Sequence, residues 1–215
     1  MKIIQITPYY TPHLGGAEKV IENISKHLAK KNHQIEVYTS DIGCPKDKQL
    51  KSTNKLKLHY LKSWEFAHTP IIPGLFFKLF GIPKGSIMHI NSTAPFIPEI
   101  TYLISKIKNI PYIVHTHGEY QKSGHFGLLL PLYKKLLLKK FLQDAKKVIC
   151  LTNDYAKLIN AKYGVLEKNI IVIPNGVENK FFIDKHISVK EEYNILFVGR
   201  LVAQKNLLRL IEIAS

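Results

Sequence analysis

Apolar positions along this chain switch repeatedly between two patterns. One is a short continuous or alternating run, the other a longer stretch recurring every third or fourth residue. Lys2 to Gln5 reads as a buried opening strand, and Ala17, Val20, Ile21, Ile24 and Leu28 then share one helical face. Gln34 to Thr39 and the alternating Leu56 to Leu61 are strands, separated by the polar loop Asp41 to Asn54. Between Pro70 and Pro83 lies a short helix, and Ser86 to Ile90 is a strand. Pro95 to Lys108 is a helix with Ile97, Ile100, Leu103, Ile104 and Ile107 inward. Pro111 to Thr116, Lys147 to Leu151 and Ile170 to Ile173 are strands, with helices over Gly127 to Asp144 and Asp154 to Tyr163. Strands alternating with helix-length crossovers predict an α/β domain, a parallel sheet covered on both faces.

The pattern changes near Pro174-Asn-Gly-Val-Glu178. A polar linker to about Glu192 follows, with Phe181 and Phe182 as its anchors. Asn194 to Val198 starts a fresh strand, Gly199-Arg200 a turn, and Lys205 onward a helix carrying Leu207, Leu210, Ile211 and Ala214. One strand and one helix cannot bury a core. Residues 1–187 are therefore expected to form one domain, and 188–215 the start of a second, incomplete one.

The first strand runs through the proline-punctuated loop Pro8 to Leu14 into Gly15-Gly16 and a helix. In a doubly wound domain, ligands sit beyond the carboxyl ends of the strands, and a helix start offers unpaired N–H groups to an anion. The spacing is not G-x-G-x-x-G, which argues against a nicotinamide or flavin site. A bare tight turn is the alternative reading of the glycine pair.

A net charge of +15 is the compositional outlier. It suits a polyanionic partner, but the lysines are scattered and no nucleic-acid motif accompanies them. A merely solvated lysine-rich surface gives the same count. In the helix Gly127 to Asp144, Leu137, Leu138, Phe141 and Leu142 share the expected core arc. Leu132 and Leu136 fall instead among Lys135, Lys139, Lys140 and Lys146. Two readings stand: a surface for anionic lipid, which Leu75 to Phe80 would extend, or a helix buried on a wider arc. Cys44 and Cys150 form no metal or redox spacing, and Met1-Lys2 leads straight into core residues. A reduced interior and no secretory leader are the expectation.

Four motifs now stand in order: Pro8-Tyr-Tyr-Thr-Pro-His-Leu-Gly-Gly-Ala-Glu18, His115-Thr-His117-Gly118, Ile173-Pro-Asn-Gly-Val177 and Phe197-Val-Gly-Arg-Leu-Val-Ala-Gln-Lys-Asn206. Together the chain resembles the retaining glycosyltransferases of family 4, with a GT-B fold of two Rossmann-like domains, the second truncated. The resemblance implies transfer of a sugar from a nucleotide-sugar donor to a glycan or lipid-linked acceptor, with retained configuration, in cell-envelope glycan synthesis. It implies that residues 1–187 form the acceptor-side domain and 188–215 the start of the donor-side domain. It places Gly15 and Gly16 beside the donor diphosphate or sugar, His117 on the donor sugar, and Arg200 and Lys205 on the diphosphate. Two cations at a βα turn would neutralise the leaving group without a metal. No cofactor and no metal ion are expected. The further expected partner is an anionic membrane surface through residues 127–147, with no nucleic acid. That would place the protein in the cytoplasm, peripheral at the inner face of the membrane.

Departures from the family pattern are Asn206, where glycine is common, and Asn91, where a second histidine is often found. The paired-glutamate motif that grips sugar and ribose is absent from these residues, so the chain as given is expected to be inactive alone. For single residues a plainer role stays open. His117 can be a satisfied strand-end histidine, and His115 the deeper, structural one of the pair. Glu18 can simply favour the helix N-terminus, and Glu18 and Asn91 are the acceptor-side candidates. Arg200 and Lys205 can be solvated charges. The rival to an enzyme is a non-catalytic acceptor- or membrane-binding module.

Overall fold

The computed structural model describes residues 1–66, 69–118, 130–182, 195–199, 201 and 205–214. The chain forms two compact units, Met1–Gly176 and Val177–Ser215.

In the first unit, seven parallel strands make one sheet among the described residues. They are β1 (Lys2–Ile6), β2 (Gln34–Ser40), β3 (Leu56–Leu61), β6 (Ile87–Ile90), β7 (Tyr112–His115), β8 (Lys147–Cys150) and β9 (Ile170–Val172). Their spatial order is β3-β2-β1-β6-β7-β8-β9, so the chain winds outward one way from β1 and then the other way. The crossovers carry α1 (Gly16–Lys30), α2 (Leu75–Phe80), α3 (Ile97–Lys108) and α6 (Asn153–Tyr163). The crossover into β8 is α4 (Leu130–Tyr133), a π-helical turn (Lys134–Leu138) and α5 (Lys139–Gln143).

Because side chains alternate along a strand, the register splits the core in two. Ile4, Ile6, Met88, Ile90, Tyr112, Val114, Val148 and Cys150 face one way and pack with Leu79, Ile104, Leu142 and Ile159 of α2, α3, α5 and α6. Ile3, Ile35 and Val37 face the other way and pack with Ile21 of α1 and with Leu56. Helices on both faces of a parallel sheet are what the alternating pattern predicts.

Several expectations are corrected. Trp64–Phe66 and Thr69–Ile71 form a small antiparallel pair, β4 and β5, that periodicity did not reveal. On α3 the buried residues are Ile97, Pro98, Thr101 and Ile104, whereas Leu103 and Ile107 are about half exposed. On α1 the buried residues are Ile21, Glu22 and Ser25, with Ile24 and Leu28 only partly covered. Glu22 tolerates this because Lys19, Lys26 and Thr11 all bond its carboxylate.

Leu137 was expected inside, yet it is 54% exposed while Leu138, Phe141 and Leu142 are buried. The π-helical turn has more residues per turn than the α-helix, so it rotates its side chains off the regular arc. In the second unit, 195–198 form no strand and Phe181 and Phe182 are exposed. There α7 (Leu207–Ala214) begins after Asn206, whose carbonyl accepts from Leu210 N–H. Asn206 has φ 50°, a left-handed conformation that suits asparagine or glycine.

Candidate functional site

Since β1, β6 and β7 are parallel neighbours, their carboxyl ends share one edge of the sheet. Beyond β1, Gly15 is an extended N-cap (φ −175°, ψ 161°) and α1 starts at Gly16, so the first-turn N–H groups point outward there. The two glycines answer different demands. A Cβ on Gly15 would stand 2.0 Å from Glu18 Oε2, because that carboxylate folds back over the cap. A Cβ on Gly16 would meet nothing within 4 Å, which leaves open space over the helix start. Glu18 Oε1 lies 3.1 Å from His13 Nδ1, and His13 stacks on Tyr9 at 4.4 Å. Tyr9 in turn donates to Glu65 Oε2 on β4 at 3.3 Å.

Beyond β7 stands His117, and beyond β6 stands Asn91. Asn91 Nδ2 donates to Gln5 Oε1 at 2.8 Å and to the His89 carbonyl at 3.3 Å. With its nitrogen so committed, the amide presents Oδ1 to His117 Nε2 at 3.4 Å. An amide oxygen only accepts, so Nε2 carries the ring proton. Three adjacent strands thus fix the tautomer of one histidine.

Behind His117 the rings of His115 and His89 follow, at centroid spacings of 4.3 and 5.6 Å. Burial pushes the His115 imidazole down to about 4, helped by His117. It pushes His89 down to about 3, with both neighbouring histidines adding to the effect. His117 is also lowered by burial, and the Glu18 carboxylate pulls it partly back. The stack is therefore a neutral backing near pH 7. The His89 and His115 rings lie within 4° of parallel and stack face to face, so their in-plane lone pairs do not converge on one metal ion.

The structure thus brings His117 and Asn91 together at the carboxyl edge, with Gly15, Gly16 and Glu18 at the neighbouring start of α1. Lys205 lies in the second unit, exposed, two residues before α7. Arg200 lies outside the described residues, as do 127–129 of the basic helix. Sequence reasoning missed Gln5, His13 and His89. Gln5 carried one signal, a polar residue inside an otherwise apolar strand. On the helical crossover, Leu132, Leu136 and Leu137 are more than half exposed beside exposed Lys135, Lys139 and Lys140.

Comparison with known proteins adds an independent line. The model of Glycosyltransferase Family 4 matches residues 14–181. An uncharacterized glycosyltransferase of Methanocaldococcus jannaschii is 24% identical over 233 residues, covering 99% of this chain and 58% of that protein. The alpha-monoglucosyldiacylglycerol synthase of Streptococcus pneumoniae is 27% identical over 188 residues, covering 83% of this chain and 41% of that protein. The chain thus spans about half the length of these curated relatives. Anabaena HepE, solved in complex with UDP-glucose, superposes with a TM-score of 0.55 at 14% identity, over 83% of this chain and 44% of its own. These likenesses bear out the GT-B type, Rossmann-like assignment.

Proposed function

The chain belongs to Glycosyltransferase Family 4, and from that premise we propose that it supplies the acceptor-side part of an enzyme moving a sugar from a nucleotide-sugar donor to an acceptor with retention of configuration. The observation that carries this is the cluster at the carboxyl edge of β1 and β6–β7. It combines an open helix start at Gly16, a neutral His117 held by Asn91, and a carboxylate on Glu18. The N–H groups at Gly15 and Gly16 suit the donor's diphosphate or sugar oxygens. His117 is assigned a positioning role through hydrogen bonding, its Nε2–H held by Asn91 and its Nδ1 lone pair left as the acceptor for a sugar hydroxyl. Residues 1–187 are proposed as the acceptor-side domain and 188–215 as the start of the donor side. Arg200 and Lys205 would there offset the charge that builds on the departing diphosphate. Donor turnover is assigned to both domains together, and the 215 residues alone are expected not to achieve it.

Binding of uridine, guanosine and adenosine diphosphate sugars by calorimetry tests the reading. One of the three should bind, and His117→Ala should weaken that binding at least tenfold. Absence of binding for all three in a protein of the relatives' full length would overturn it, and inversion at the anomeric carbon of the product would overturn retention.

We further propose that the helical crossover 130–143 docks on an anionic membrane carrying a lipid-linked acceptor, which places the protein on the inner face of the cell membrane. Three half-exposed leucines ringed by lysines support this. The Streptococcus relative, by its name, makes a glucosyl diacylglycerol, which is a lipid product. Co-sedimentation with vesicles should rise with phosphatidylglycerol content and fall several-fold in Leu136→Asp. Binding indifferent to both would end this reading.

A further inference from the structure

A second cavity lies at the other end of the strands. It is an open groove of about 760 Å³ between the carboxyl half of α1, the segment 50–55 and the start of β3, with Tyr10 of the β1–α1 loop beneath. Because β3 runs parallel to β1, its beginning at Leu56 is remote from the carboxyl edge that carries His117. The lysine-lined part of the groove is therefore distinct from the His117 cluster, although its floor residue Tyr10 belongs to the loop that leads from β1 to Gly15.

Its chemistry is uneven in an informative way. Lys26, Lys30, Lys51 and Lys55 line it, and no Asp or Glu does. The nearby Glu22 carboxylate is already held by Lys19 and Lys26, so it does not cancel the remaining ammonium groups. The apolar wall is aliphatic: Ala29, Leu50, Leu56 and Leu58. Tyr10 closes the floor, fully buried, and its hydroxyl faces Ser25 without a well-formed hydrogen bond to it or to any other group. The carboxyl end of α1 presents a weakly negative dipole here, and Lys26 and Lys30, one turn apart, outweigh it.

A lysine rim over an aliphatic groove selects among anions. A nucleotide base would ask for an exposed aromatic face to stack on, and the one aromatic ring in the lining is buried. A free sugar phosphate would ask for more uncharged polar wall than Thr53 and Asn54 supply beside the four aliphatic side chains. An acyl chain needs neither. We propose that this groove binds one anionic phospholipid, its phosphate among Lys30, Lys51 and Lys55 and part of its acyl chain along Leu50, Leu56 and Leu58. The occupant follows from charge complementarity and aliphatic walls, and it does not depend on sugar transfer at the carboxyl edge.

The test uses short-chain lipids below their micelle concentration, with calorimetry and amide chemical-shift mapping on the purified protein. Dihexanoyl phosphatidic acid should bind at least tenfold tighter than dihexanoyl phosphatidylcholine, and the shifts should cluster on 26–30 and 50–58. Inorganic phosphate alone should move neither readout. The exposed-surface variant Lys30→Glu/Lys51→Glu, with an unchanged melting curve, should lose at least tenfold in affinity. Equal binding of the two lipids, equal binding of inorganic phosphate, indifference to the lysine variant, or shifts confined to 130–143 would each overturn the proposal. A melting change in that variant leaves the wild-type shift map and the lipid pair to decide.

Discussion

Lowering the pH from 7 to 5 should remove about 4 kcal/mol of folding stability through His89 and His115 alone. In the unfolded chain each histidine takes up its proton near 6.5. In the fold, burial withholds that proton until about 4 for His115 and about 3 for His89. Between those values the unfolded state binds more protons, so stability is fully present above the unfolded pKa and drains away as pH falls below it. Each withheld proton costs about 1.4 kcal/mol per pH unit, hence about 2 kcal/mol per ring by pH 5.

Other groups act in different windows or with smaller weight. His59 and His117 are also lowered by burial and add to the loss. Glu99, raised by burial, works the other way, since its stability is lost as pH rises through its own range. On Glu22 and Glu36 burial pushes upward, but hydrogen bonds from Lys26, Lys19 and Thr11, and from Tyr38 and Lys2, hold both below the usual range. Their contribution fails only at more acid pH.

Urea titration at pH 7, 6 and 5 reads the effect directly. With a slope of about 2 kcal/mol per molar, the midpoint should drop by about 2 M over the range. The variant His89→Leu/His115→Leu should lose most of that drop, because it carries neither ring. It also removes ring nitrogens that are buried without partners, so its midpoint at pH 7 should not suffer for lost hydrogen bonds. A wild-type midpoint that is flat from pH 7 to 5, or an equal drop in the double variant, would refute the reasoning.

Burial is the largest single influence on Asp144 and pushes its carboxyl up, but the bonds it accepts from Lys106, Tyr102 and Lys140 together outweigh that push and hold it down to about 2. Asp144→Ala should lower stability by about 1–2 kcal/mol in urea titration at pH 7, discounted because both lysines are exposed, and should lower it little at pH 2. Gly15→Ala should leave the melting temperature nearly unchanged, since only the flexible Glu18 carboxylate must move, yet nuclear magnetic resonance should show the His13–Glu18 contact broken. Around the π-helical turn, Leu138→Ala should cost about 2–5 kcal/mol and Leu137→Ala less than about 0.5, by the same titration.

The strands were legible because each is a short apolar run bounded by proline, glycine or charge, and a parallel sheet buried on both faces needs such runs. Their order was legible only as a class, since alternation demands crossovers but does not say on which side of β1 each strand falls. Helix faces were harder. The stripe rule assigned Leu103 and Ile107 of α3 to the interior, yet Thr101 takes an inward place by giving its hydroxyl to the Ile97 carbonyl. Glu22 is buried for a similar reason, through partners as distant in sequence as Thr11. Periodicity scores polarity at one position and is blind to a partner supplied from another element.

The same blindness explains what was missed at the carboxyl edge. His117 and the glycine pair could be marked from their motifs, because strand ends and helix starts have sequence signals of their own. Gln5 could not be tied to them, since its bond to Asn91 spans 86 positions of sequence. That bond gives the site its chemical direction: it turns the Asn91 oxygen toward His117, which places the ring proton on Nε2. Gln5→Leu should therefore leave His117 in place but let Asn91 rotate, so that the ring samples both neutral tautomers. Nitrogen-15 shifts of the His117 ring distinguish the two states. A wild-type ring protonated on Nδ1, or an unchanged Nε2–H signal in a folded Gln5→Leu variant, would show that the three strands do not set this proton.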